Sequence, residues 1–136
     1  MRKIFKSLML MALLSATPLT VSAVVFNINV NTTSLAGTAV NLVFDFINGD
    51  ALTNNTAQVS NFLTDGSFDP NLGSLTGDVT GLLNSTVTFS DTSFFNEFLQ
   101  PITLGNVFQF QLDTTNAFTG LLPDSFSFFI LGSCDG

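Results

Sequence analysis

Phe108-Gln109-Phe110-Gln111-Leu112-Asp113 decides the fold class. Large apolar side chains occupy every second position, and amide or acid side chains fill the gaps. Successive side chains of a strand point to opposite faces, so a period of two gives one buried face and one wet face. A helix, at about 3.6 residues per turn, would scatter the same residues around its circumference.

The pattern recurs on both sides of this segment. Phe26, Ile28 and Val30 alternate with Asn27, Asn29 and Asn31, and Phe126, Phe128 and Ile130 alternate with Ser125, Ser127 and Phe129. Leu42, Phe44 and Phe46 alternate with Val43, Asp45 and Ile47, so this strand is expected to be covered on both faces. Ala57–Val59 and Val87–Phe89 are weaker examples. Six such segments predict an all-β domain, an antiparallel β-sandwich or jelly-roll-like fold, with an open barrel as the other architecture. Asn48-Gly49-Asp50, Asp65-Gly66, Asp69-Pro70-Asn71 and Pro123-Asp124 supply turns between them. Gly73, Gly77 and Gly81 predict a loop-rich excursion with two short strands. They follow no clear strand, open no clear helix and have no cation nearby, so they are no nucleotide fingerprint.

One segment departs from the period of two. In Thr92–Gln100, Phe94 and Phe98 are four apart, as are Phe95 and Leu99, and Pro101 follows. With Asp91 or Thr92 as a cap and Pro101 as a stop, this predicts one short helix, about residues 93–100, plugging an end of the sandwich. On that reading Phe98 packs and Gln100 is solvated, so Phe98→Asp is the costlier of the two acidic substitutions.

The chain has 136 residues, room for one domain. Its three cations are Arg2, Lys3 and Lys6, and they precede an apolar core, Leu8–Leu14, and a Thr20-Val21-Ser22-Ala23 cleavage-site pattern. Residues 1–23 therefore read as a signal peptide and residues 24–136 as a single β-rich exported domain. The apolar core is too short to span a bilayer, and no later run is longer, so no stable membrane span is expected after cleavage. The exported part keeps all ten acids and no Lys or Arg, a side-chain charge of −10. Cys134 is the only cysteine, so no internal disulfide can form.

This composition excludes much chemistry. Without His, and without Lys after residue 6, no Ser or Cys has a base to activate it. Without cations there is no grip on a nucleic-acid backbone. A two-carboxylate glycosidase remains in principle, with Glu97 and one of the Asp residues, but Glu97 reads as a solvated side chain. The chain is therefore expected not to be an enzyme and to need no cofactor. Calcium is the one common metal that suits an acid- and amide-rich chain. Asp65, Asp69 and Asn71 place three oxygen ligands within seven residues, with Asp78 and Asp91 as distant partners. That cluster is the one weak metal site expected. Asn31, Asn54 and Asn84 lie in glycosylation sequons.

Several ordered motifs carry a family resemblance: Thr33-Ser34-Leu35-Ala36-Gly37, Phe44-Asp45-Phe46, Thr64-Asp65-Gly66, Gly77-Asp78-Val79-Thr80-Gly81 and Asp124 to Leu131. With the leader, they make residues 24 to 131 resemble bacterial secreted proteins of the PEP-CTERM type, which exosortases sort. The resemblance implies a β-rich domain exported to the periplasm, cell surface or extracellular space of exopolysaccharide-making bacteria. It supplies no catalytic or binding residue. Such proteins end in a Pro-Glu-Pro motif, an apolar helix and a basic tail, whereas this chain ends at Ser133-Cys134-Asp135-Gly136. A truncated, frameshifted or divergent member is the expectation. The function expected is that of a non-enzymatic surface or extracellular-matrix-associated protein, in contact with extracellular polysaccharide or envelope components. The alternative is a weak glycan- or calcium-binding module.

Overall fold

The computed structural model describes residues 22–117 and 122–132. They form β1 (Ser22–Asn31), β2 (Ala39–Ile47), β3 (Thr56–Thr64), β4 (Ser74–Thr76), β5 (Val79–Gly81), β6 (Thr86–Ser90), β7 (Phe95–Thr103), β8 (Val107–Asn116) and β9 (Ser125–Gly132). Short 3-10 turns stand at Thr33–Leu35 and Pro70–Leu72. All ladders are antiparallel and make two sheets, ordered β1-β8-β3-β6-β5 and β4-β7-β2-β9. The architecture is all-β and of the sandwich type, with no closed barrel. Only β5 and β6 are consecutive neighbours in one sheet; every other connection crosses between sheets.

The alternating segments take the places their periodicity requires. Phe108, Phe110 and Leu112 are buried in β8, which lies between β1 and β3. From the other sheet, Phe44 sits in the middle of the core, fully buried, with ring centroids 5.3 Å from Phe110, 6.3 Å from Phe126 and Phe128, and 6.4 Å from Phe98. Each such ring contributes about 1.5–3 kcal/mol by burial, and more through edge-to-face contact. Val43, on the opposite face of β2, is also fully buried, between its register partners Leu99 and Phe129. The glycine-spaced excursion forms the two short strands β4 and β5.

The helix expected over residues 93–100 is not there. Phe95–Thr103 is β7, paired residue for residue with β2. Its inward positions are Asn96, Phe98, Gln100 and Ile102, all buried. Two of these four are amides, which hid the period of two, and the four-residue spacing of the Phe side chains was accidental. Their amide nitrogens are bonded: Asn96 Nδ2 donates to the carbonyls of Phe46 and Ser93, and Gln100 Nε2 donates to those of Asp69 and Pro101, while Gln100 Oε1 is buried with no partner among the described residues. Pro101 lies between the last β4 pair, Ser74 with Leu99, and the bridge from Thr103 to Ser67, so its missing N–H interrupts no β4 ladder bond. Gln100, expected to be solvated, is instead fully buried.

The two lateral sides of the sandwich differ. On one side the edges are β4 and β5, three residues each. On the other they are β1, ten residues, and β9, eight residues, neither with a charged residue or a proline. Among the described residues no helix is long and apolar enough to cross a membrane. The leader up to residue 21 and Cys134 lie outside the described residues, whereas Ser22 and Ala23 already pair with Asn116 and Thr115.

Candidate functional site

Between the long edges runs an open cleft of about 560 Å³. Val24, Phe26 and Ile28 of β1 line one wall, Phe126 and Phe128 of β9 the other, and Leu112 of β8 is part of its lining. The apolar side chains of β1 face it because the Asn residues of that strand take the outer face. Phe26 remains 49% exposed there. An apolar trough with a few polar groups at one end is the usual form of a binding site.

The polar end is built by a hydrogen-bonded hub that sequence reading missed. Asn55 Nδ2 donates to Asp124 Oδ2 at 2.7 Å, and Asn55 Oδ1 accepts from the Ala117 N–H at 2.8 Å and the Thr115 hydroxyl at 3.2 Å. Asp124 Oδ1 accepts the Gly49 N–H at 2.8 Å. Asp91, 1% exposed, accepts the N–H groups of Asn54 and Asn55 through Oδ2, and its carbonyl accepts from Asn48 Nδ2. Asn48 Oδ1 in turn takes the Ala51 N–H at 2.6 Å. These bonds fasten the β2–β3, β6–β7 and β8–β9 connections to one another. Asp124, the only acid lining the cleft among the described residues, therefore has both oxygens engaged in holding loops.

Asp65 and Asp69 of the expected calcium cluster each accept hydrogen bonds from protein donors. Asp65 Oδ2 accepts from Asn106 Nδ2 and Oδ1 from the Val107 N–H, each at 2.9 Å, and these bonds hold its carboxyl below the ordinary range, Asn106 most strongly. Asp69 Oδ1 accepts from the main-chain N–H and the side-chain amide of Asn71, the ordinary closure of the Pro70–Leu72 turn. Asp78 accepts the Thr92 hydroxyl, and Asp91 belongs to the hub. Both lie by the β6–β7 connection, while Asp65 lies by the β7–β8 connection. The nine residues of β7, at about 3.3 Å each, separate them from Asp65. Among the described residues no three of His, Cys, Asp or Glu come together to hold a metal ion.

Glu97 does meet an Asp. It is the register partner of Asp45 across β7 and β2, on the outer face of the second sheet. Burial, and then the charge of Glu97, raise the Asp45 carboxyl above its ordinary value. Neither lines the cleft, and one Asp45 oxygen is buried with no hydrogen-bond partner among the described residues. The outer face of the first sheet carries a second groove, about 340 Å³, between Asn27 and Asn29 of β1, Gln109 and Gln111 of β8, and Asn61 of β3. Asn61 Nδ2 donates to Gln111 Oε1 at 2.8 Å, and Asn29 Nδ2 to Gln109 Oε1 at 3.3 Å. Phe94 is 75% exposed on the β6–β7 connection, away from both concavities. Phe68 packs edge-on against Phe62.

No protein-family model, no curated protein and no solved structure matches the chain.

Proposed function

We propose that this is a non-enzymatic protein of the exported surface or extracellular matrix, a β-sandwich that works by binding through its open side. One observation carries the reading: the cleft between β1 and β9 is mostly apolar with one polar end, and Asp124, its one acid among the described residues, is committed to holding loops. A carboxylate with both oxygens engaged by protein donors is poorly placed to move protons on a substrate. The strand orders β1-β8-β3-β6 and β4-β7-β2, with connections that cross between sheets, support the finer jelly-roll reading. The leader and the PEP-CTERM resemblance support export. Fractionation of a bacterium producing the full chain tests it. Export gives a product in the envelope or medium whose first residue is Val24. A cytoplasmic product that still begins at Met1 contradicts it.

A weak glycan-binding module is the second reading, and the amide groove favours it. Neutral side chains that both donate and accept suit sugar hydroxyls, and the absence of cations leaves acidic sugars unfavoured. A glycan array read with and without calcium tests it. Binding of neutral glycans that Asn61→Ala and Gln111→Ala weaken supports it, and a blank array rejects it.

A further inference from the structure

Among the described residues the first sheet has five strands and the second has four. The vacant place in the second sheet lies opposite β1. Phe128 of β9 stands 5.2 Å from Phe110 and 6.5 Å from Phe108, centroid to centroid, so β9 covers β8. Among the described residues no strand follows β9 in its sheet, and β1 is left facing none. Its first inward side chains show the result: Val24 and Phe26 are 38% and 49% exposed, although their positions alternate as core positions do, whereas Ile28 and Val30 further along pack half-buried against the core.

We infer that an extended segment of another polypeptide adds to β9 as the fifth strand of this sheet. Its alternate side chains are aliphatic or aromatic and enter the cleft between β1 and β9. Its flanks carry Lys or Arg. This goes beyond the role proposed above and holds whether or not the chain is exported.

Three observations favour that occupant. β9 pairs with β2 along Val40 to Ile47, and among the described residues no strand pairs with its other edge. Edge strands in soluble proteins are shortened, bulged, or guarded by Lys or Pro. β4 and β5 obey this by being short, while β1 and β9 are long, uncharged and unguarded. Strand addition uses such an edge for main-chain bonds and pockets at alternate positions for specificity.

Two intact copies do not fill the place. Antiparallel pairing of β9 with β9 of a second copy would drive that copy's first sheet into β1, because each β9 already lies over its own β8. Pairing β1 with β1 leaves both vacancies open. A single strand without a domain attached at its side fits.

Charge selects among strands. Residues 24–136 carry ten acids and no Lys or Arg, so a basic segment is steered in and an acidic one repelled. The two edges themselves are uncharged, which restricts the cations to the flanks of the segment.

The test uses the full chain and a ten-residue peptide that alternates Val or Phe with Thr, contains one Trp and ends in Lys-Lys. The protein has no Trp or Tyr, so indole emission reports the peptide alone. Saturable binding is expected, with slowed amide exchange in β9. A strand with one neighbour uses only alternate N–H groups. N-methylation of one alternate set should therefore abolish binding, and of the other set should spare it. Phe26→Asp should weaken binding at least about tenfold by placing a charge in the apolar trough. Val25→Asp should leave it within about twofold, because Val25 is equally exposed, at 51%, but faces outward.

Equal binding of the two N-methylated peptides would overturn strand addition in favour of a simple apolar site, and that comparison needs no protein variant. β9 amides already protected in the chain alone would give the place to the chain's own residues. A peptide-free dimer that excludes the peptide would give it to a second copy. Both results reject the proposal.

Discussion

The Asp91 carboxylate accepts the main-chain N–H of Asn55 at 2.6 Å, from a position only 1% exposed. That bond joins the end of β6 to the start of β3 and fixes Asn55, whose side chain then holds Asp124 and the N–H of Ala117. The polar end of the cleft thus depends on an acid that does not line it.

Asp91→Ala should lower unfolding free energy by about 2–3 kcal/mol, because it strands two N–H groups that now share a charged acceptor. Asp91→Asn should lose less, since an amide oxygen can keep one of them. Urea denaturation measures both. Equal, small losses would mean that the hub does not hold the loops.

Asp45 and Glu97 predict a pH effect. Burial first, and the charge of Glu97 second, raise the folded-state value of Asp45 above its ordinary 3.8. The folded chain then binds the proton more tightly than the unfolded chain does. Stability linked to this group is present below 3.8 and falls as pH rises through the raised folded value. Asp45→Asn should therefore stabilise at pH 7, and the gain should vanish under acid conditions below 3.8. Glu97→Gln should act in the same direction and more weakly. A gain independent of pH would point instead to general relief of charge.

The inward positions of β7 predict a pattern of losses. Phe98→Ala should cost about 3–5 kcal/mol. Gln100→Asp should also be severe, at least about 2 kcal/mol, because it puts a carboxylate where a buried amide was bonded. Leu99→Ala, on the half-exposed outer face, should cost clearly less than Phe98→Ala. A solvent-tolerant Gln100 would restore the short helix and remove β7.

Gly49 and Gly37 are required for different reasons. A Cβ on Gly49 would stand 2.1 Å from the Pro123 carbonyl oxygen, where the β2–β3 turn meets the approach to β9. At Gly37 nothing lies within 4 Å, but φ is +82°. Gly37→Ala should cost about 1 kcal/mol for backbone strain alone. Gly49→Ala should cost more and should loosen β9, which hydrogen exchange in Phe126–Ile130 would report. The reverse ranking would contradict the close approach.

Period-two alternation made most of the sheets legible in the sequence. Phe108-x-Phe110-x-Leu112 states both the strand and its buried face, and Phe26, Phe44 and Phe126 mark three more in the same way. β7 was illegible because two of its four core positions are amides, and their acceptors, carbonyls of Phe46, Ser93, Asp69 and Pro101, are known only once the chain is folded. The hub was half legible. Asn48-Gly49-Asp50 and Pro123-Asp124 read as turns, but nothing local says that Asn55 joins them. The cleft was not legible: Val24 and Phe26 carry the periodicity of core residues, and only the count of strands in each sheet leaves them uncovered.

Residue-resolved hydrogen exchange on the full chain tests most directly whether the sandwich is open along β1 and β9. β8, β3, β2 and β7 each have neighbours on both sides and should hold their amides longest. β1 and β9 should lose alternate amides quickly, those pointing away from β8 and β2, and keep the rest. Uniform protection of β1 and β9, equal to that of β8, would show that the edge is covered and would contradict the open cleft.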